Sequence, residues 1–277
     1  MITTQENKLI YTFNQETVLI EPWGKNAIRV RAIKQAAFPE ENWALTQPCG
    51  HTAAITQTER YAQMENGNLT ARITSGGKLT VYNSRGEKLL EEYARNRRDV
   101  LDPKCSAIEV EAREFRPIPG GDYHLTARFE SLDPNEKIFG MGQYQQPHLN
   151  LKGTDLELAH RNSQASVPFL LSSLGYGLLW NNPAIGRAVF GKNLTSFEAY
   201  STNVLDYWVI AGDTPKEILE GYAAVTGTVP MMPEYGRTIG KVCWTAVHSM
   251  QARLLPMEPT VIFGAGVPPV PAMIMET

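Results

Sequence analysis

The chain breaks into short runs in which apolar and polar residues alternate, punctuated by Gly, Asn and Pro, and this alternation most restricts the folds open to it. A period of two places successive side chains on opposite faces of a strand, so one face meets a core and the other meets water. Leu19-Ile20-Glu21-Pro22-Trp23 and Ala27-Ile28-Arg29-Val30-Arg31-Ala32 are early examples. Asn68 to Thr74 and Lys78 to Asn83 flank Ser75-Gly76-Gly77, which predicts a β-hairpin, because glycine reaches the positive φ that such turns need. Arg85-Gly86-Glu87 marks another turn, and Tyr123 to Glu130 resumes the alternation. Many short strands with frequent turns predict a mainly β chain folded as an antiparallel sandwich.

One segment breaks the pattern. Thr214 is placed to cap a helix, Pro215 suits its first turn, and Ile218, Leu219, Tyr222 and Ala223 recur at helical spacing, so a helix is expected at about 215 to 226, ended by Gly227. After Tyr235 the composition shifts. Six of the nine methionines lie from Met231 onward, Glu258 and Glu276 are the only acidic residues after Glu234, and Pro268-Pro269-Val270-Pro271 blocks regular structure. We expect residues 1–229 to form the sandwich domain and 230–277 to be a linker and an irregular C-terminal extension, poorly ordered or partly foreign to the preceding fold. A shifted reading frame or an early stop would produce such a break.

Composition removes several function classes. The 43% hydrophobic content supplies a sizeable core, and a formal net charge of −3 with interspersed signs gives no basic stripe for nucleic acid. No run approaches the roughly 18 apolar residues of a membrane span. Cys49, Cys105 and Cys243 are far apart and odd in number, and read as buried or incidental thiols of a reducing compartment. No secretory leader opens the sequence, so a cytoplasmic location is expected. The histidines at 51, 124, 148, 160 and 248 show no zinc-binding spacing, and neither Gly140-Met141-Gly142 nor Gly175-Tyr176-Gly177 has the form of a phosphate loop. No metal and no cofactor are expected.

Lys137-Ile138-Phe139-Gly140-Met141-Gly142-Gln143 begins a longer resemblance, continued by Asn150-Leu151-Lys152-Gly153, by Val167 to Ser173, by Leu174 to Asn182, and by Leu205 to Pro215. In order and spacing these segments resemble the N-terminal, galactose-mutarotase-like sandwich of glycoside hydrolase family 31, over roughly residues 15 to 236 and most strongly from Phe139 to Gly236. The resemblance implies retaining hydrolysis of α-linked glucosides or xylosides without a cofactor, on an α-linked oligosaccharide or glycoside substrate. It also implies a Pro-x-x-Pro linker at Pro230-Met231-Met232-Pro233, followed by a catalytic barrel. Such a barrel needs about 250 residues. Retaining chemistry needs two carboxyl groups about 5 to 5.5 Å apart. In the family both are aspartates of later barrel motifs, and no Asp follows Asp213 here, so no catalytic residue is assigned and the chain alone is expected to be inactive.

The resemblance places Glu157 to Gln164 at a loop that reaches over the barrel mouth, which makes His160, Arg161 and Asn162 candidate substrate-binding residues. The alternative is a solvated loop, or a hairpin whose arginine contacts a carboxylate. Gln143 to His148 form a second polar and aromatic loop, for which an ordinary inter-strand connection is the favoured reading. Trp180, Tyr207 and Trp208 are expected in the core, and Glu91, Glu92, Glu109 and Glu111 on solvated strand faces. Two other functions stay open. One is a free-standing carbohydrate-binding or interaction module, and the other a mutarotase-like epimerase, which would need an acid and a base on opposite sides of a sugar carbon. A sandwich surface that normally rests on a barrel would expose apolar area and favour self-association.

Overall fold

The computed structural model describes residues 1–46, 53–97, 100, 103–162, 164–228 and 231. Cys49, His51, Asp99, Asp102, Ser163, Cys243, His248 and nearly all of the expected linker and extension at 230–277 lie outside the described residues. Met1–Gly227 forms one compact unit and Thr228–Thr277 a second. Among the described residues the first unit holds eighteen strands, numbered β1 to β18 in chain order, and one helix.

An eight-stranded antiparallel sheet forms one layer. Its order is β1 (Ile2–Gln5), β2 (Lys8–Phe13), β3 (Glu16–Pro22), β4 (Ala27–Lys34), β18 (Val204–Ala211), β15 (Tyr176–Trp180), β14 (Ala165–Ser172) and β12 (Ile138–Gln143). Two five-stranded sheets face it. One runs β5 (Ala54–Gln57), β6 (Tyr61–Asn66), β7 (Leu69–Thr74), β8 (Leu79–Asn83), β9 (Lys88–Glu91). The other runs β10 (Arg113–Pro117), β11 (Tyr123–Glu130), β17 (Leu194–Thr202), β16 (Gly186–Phe190), β13 (Asp155–Leu158). A bridge between Glu92 and Phe129 links the two. The predicted hairpin is β7 and β8, with Ile73 opposite Leu79 and Gly77 at φ 85°.

Between the layers the apolar faces interlock. Phe129, Phe190, Phe197, Trp180 and Tyr207 are fully buried, and the Trp180 and Phe197 rings stack at 5.3 Å. Trp208 is equally buried, but on the other face of the eight-stranded sheet, with Trp23, Phe169, Leu179 and Ile210. That face is closed by helix α1 (Pro215–Thr226), which begins at the Thr214 cap and ends at Gly227 as the sequence predicts. Ile218 and Val225 seal its underside, while Leu219 points outward at 49% exposure. Each apolar side chain so buried contributes roughly 1.5–3 kcal/mol.

Two expectations are corrected. Alternation predicts one wet face for Ala27 to Ala32 in β4, yet the second core covers that face and five of those six positions are buried, as are all eight of β18. The polar residues on the covered face are buried as well, and each finds a partner. Arg29 donates from Nε and Nη2 to Asp206 at 3.0 and 2.6 Å, and Asn181 donates to the same carboxylate at 2.7 Å. Burial pushes the Asp206 carboxyl up, against the pull of Arg29. Glu91 and Glu92 are also buried, at 5% and 1% exposure, because the chain crosses there from one sheet to the other. Glu92 accepts from Arg113, itself held by Glu16, and from the Leu79 amide at 2.8 Å. Glu109 and Glu111 are exposed as expected.

Candidate functional site

The two polar loops singled out in the sequence meet at one end of the sandwich. Gln143, the last residue of β12, pairs with Ala165, the first of β14, so the chain leaves one strand beside the point where it enters the other. Tyr144 ties the loops together. Its Oη lies 2.9 Å from Ser166 Oγ and donates to the Glu157 carbonyl at 3.1 Å, and burial raises the phenol pKa.

The Phe139-Gly140-Met141-Gly142 segment sets this geometry. Gly140, Met141 and Gly142 have φ of 99°, 65° and 96°, and the register with β14 shifts between Gly140 and Gly142 in a β-bulge. A Cβ on Gly142 would sit 2.2 Å from the Ala165 carbonyl oxygen, and one on Gly140 2.5 Å from that of Phe169. Both positions therefore require glycine. The bulge turns the Met141 side chain into the core, where it is fully buried.

A buried polar cluster, missed in the sequence, fixes the return of the chain from loop 143–148. Glu136 is 4% exposed and accepts from Ser172 Oγ at 2.6 Å, Tyr176 Oη at 2.9 Å and Lys152 Nζ at 2.8 Å. Burial and the adjacent Glu136 hold the Tyr176 phenol well above its usual range. Asn150 Oδ1 accepts from the amides of Ile138 and Lys152 at 3.0 and 3.1 Å, which pins the segment to β12. The sequence around Lys152 mixes polar and apolar residues and carries no local signal of this cluster.

His160, Arg161 and Asn162 lie together at the exposed turn between β13 and β14, closed by a bridge between Arg161 and Gln164. Arg161 makes a two-pronged ion pair with Glu157, both contacts at 2.7 Å, the carboxylate contact that the alternative reading anticipated. Hydrogen bonding to Arg161 lowers the Glu157 carboxyl pKa. Among the described residues the His160 and Asn162 side chains have no hydrogen-bond partner. Below the turn, Arg187 and Asp155 pair across β16 and β13.

Elsewhere, His124 Nε2 lies 3.3 Å from Glu198 Oε2 on the solvent side of β11 and β17. The two are in direct contact and leave no space for a sugar carbon between acid and base. Among the described residues no group of three or more His, Cys, Asp or Glu is placed to hold a metal ion, and no helix is long and apolar enough to cross a membrane. Cys105 is a free, exposed thiol, not a buried one.

The profile of the glycosyl hydrolase 31 N-terminal galactose mutarotase-like domain matches residues 17–187, more than half of the chain. The chain belongs to glycoside hydrolase family 31. Among family 31 proteins, the uncharacterized glucosidase ORF2 of Pseudescherichia vulneris is 48% identical over 237 residues, covering 83% of this chain and 45% of that protein. Alpha-xylosidase A of Aspergillus niger is 31% identical over 245 residues, covering 79% of this chain and 32% of that one. In three dimensions the chain superposes with a TM-score of 0.82 and 44% identity on a family 31 alpha-xylosidase from a soil metagenome complexed with xylose, over 91% of this chain and 40% of that one. The chain thus spans less than half the length of these relatives.

Proposed function

We propose that this chain is the sandwich portion of a retaining glycosidase for α-linked xylosides or glucosides, with 1–229 as the N-terminal domain and 230–277 as the linker and start of a barrel. In the intact enzyme, loop 157–164 contributes to the sugar pocket through His160, Arg161 and Asn162. One observation carries this reading: Tyr144 brings the two polar loops together, and beside them the exposed His160 and Asn162 side chains have no protein partner among the described residues. Donors and acceptors not already used within the protein are what sugar hydroxyls need. The 277 residues alone are inactive in this proposal, because no Asp follows Asp213. The exposed Cys105 thiol suits a reducing cytoplasm, and the exposure of Trp43, Val167 and Leu219 suits self-association when no barrel covers them.

The test is hydrolysis of aryl α-xyloside and aryl α-glucoside by the purified chain, with a full-length relative as positive control. No release above buffer is expected. Turnover abolished by His160→Ala or Arg161→Ala would mean that the chain carries its own chemistry and would overturn the proposal. The loop role is tested by joining the domain to a relative's barrel, where the paired His160→Ala and Asn162→Ala substitutions should raise KM. An unchanged KM would remove the loop from the pocket.

A further inference from the structure

The outward face of the β5–β9 sheet carries a groove of about 400 Å³, within the usual range for small-ligand sites. Among its described lining residues, Arg60, Arg72, Lys78, Lys88 and Lys104 are cationic and Glu91 is acidic. Lys78, Lys88 and Lys104 converge on that carboxylate at 2.8, 3.0 and 3.5 Å. Burial alone would raise the Glu91 carboxyl, but the Lys78 and Lys88 ammonium groups hold it down at about 2. Lys104 also pairs with Glu130 at 2.9 Å, so the lysines are engaged by carboxylates within the fold.

Two arginines supply the open donors. The Arg72 guanidinium packs between the rings of Tyr61 and Tyr82, 4.5 and 5.1 Å from their centroids. Gln63 Oε1 accepts from its Nε and Nη2 at 3.1 and 2.8 Å. Clamped on both faces and along one edge, Arg72 keeps Nη1 without an acceptor among the described residues. A guanidinium fixed in this way loses little freedom when it meets an oxyanion, and its planar fork matches carboxylate and phosphate geometry. Arg60 is exposed, and its guanidinium likewise has no partner among the described residues. The hydroxyls of Tyr61, Tyr82 and Ser75 border the same space with no partner there, which gives uncharged hydrogen-bonding positions beside the cations.

We propose that this groove binds the acid group of a charged saccharide, a carboxylate or phosphate on a sugar whose hydroxyls meet Tyr61, Tyr82 and Ser75. It is a separate site from loops 143–148 and 157–164, none of whose residues line it, so the two proposals fail independently. Calorimetry on the 277-residue chain at low salt, with digalacturonate, glucose 6-phosphate, maltose and inorganic phosphate as probes, tests it. One of the two acidic sugars should bind saturably and about tenfold more tightly than maltose. Digalacturonate binding alone would assign a carboxylate site, and glucose 6-phosphate binding alone a phosphate site. Arg60→Gln, at an exposed side chain that cannot endanger the fold, and Arg72→Gln should each weaken binding about fivefold or more. Absence of saturable binding by either acidic sugar, retention of full affinity in both variants, or equal affinity for inorganic phosphate and the sugar phosphate would each overturn the proposal.

Discussion

Replacing Lys152 by Met removes the ammonium that pairs with Glu136 and leaves the Ser172 and Tyr176 hydroxyls in place. The Glu136 carboxylate is 4% exposed and the Lys152 side chain 6%, so little water can replace the lost ammonium. Breaking a buried pair from one side costs about 3–5 kcal/mol, because the surviving charge stays desolvated and unpaired. Ser172 and Tyr176 still donate to Glu136, at 2.6 and 2.9 Å, which favours the lower half of that range. With a urea slope near the upper end of ~1–3 kcal/mol/M for a domain this size, the midpoint should fall by about 1–2 M. Urea unfolding followed by tryptophan fluorescence reads this directly, since Trp180 and Trp208 are fully buried. The double variant Glu136→Gln/Lys152→Met should recover about 2 kcal/mol, because a neutral amide still accepts from Ser172 and Tyr176 and is far cheaper to bury than an unpaired charge. A loss under about 1 kcal/mol for Lys152→Met, or no recovery in the double variant, would refute the reasoning.

The remaining predictions concern the same loop region and the groove carboxylate. Arg161→Ala removes an ion pair whose partners are 61% and 43% exposed, so thermal unfolding should change by less than about 1 kcal/mol. Gly142→Ala drives a Cβ toward the Ala165 carbonyl at positive φ, and should cost at least about 2 kcal/mol in the same assay, with faster amide exchange at the paired strand ends. Glu91 titrates at about 2 in the folded chain against an ordinary 4.5, so its stabilising share is complete above about pH 4.5 and is lost as pH falls towards 2. Allowing for screening at the half-exposed Lys88, that share is about 1–2 kcal/mol. The stability gap between the parent and Glu91→Gln should therefore narrow between pH 5 and 3, and a constant gap would show that the carboxylate charge is not what matters.

Helix α1 was legible in full, because Thr214, Pro215 and Gly227 act within one turn of their own positions. The β7 and β8 hairpin was legible for the same reason, as its register follows from a short glycine turn. Local signals of this kind depend only on neighbours in the chain. The candidate loop was found through a resemblance, not through its chemistry, and its clamp through Tyr144 was invisible, since Tyr144 and Ser166 meet only when β12 and β14 pair.

The sequence by itself determined that the chain is mainly β, that it belongs with family 31 sandwiches, and where one hairpin and the helix begin and end. Alternation says which side chains share a face, but not what covers that face. Tertiary structure alone decided that β18 is buried on both sides, that Glu91 and Glu92 leave solvent, and that Arg72 is clamped between two tyrosines. The physical reason is distance along the chain: Arg29 meets Asp206 across 177 residues, and only the packing of strands remote in sequence brings such charges together away from water.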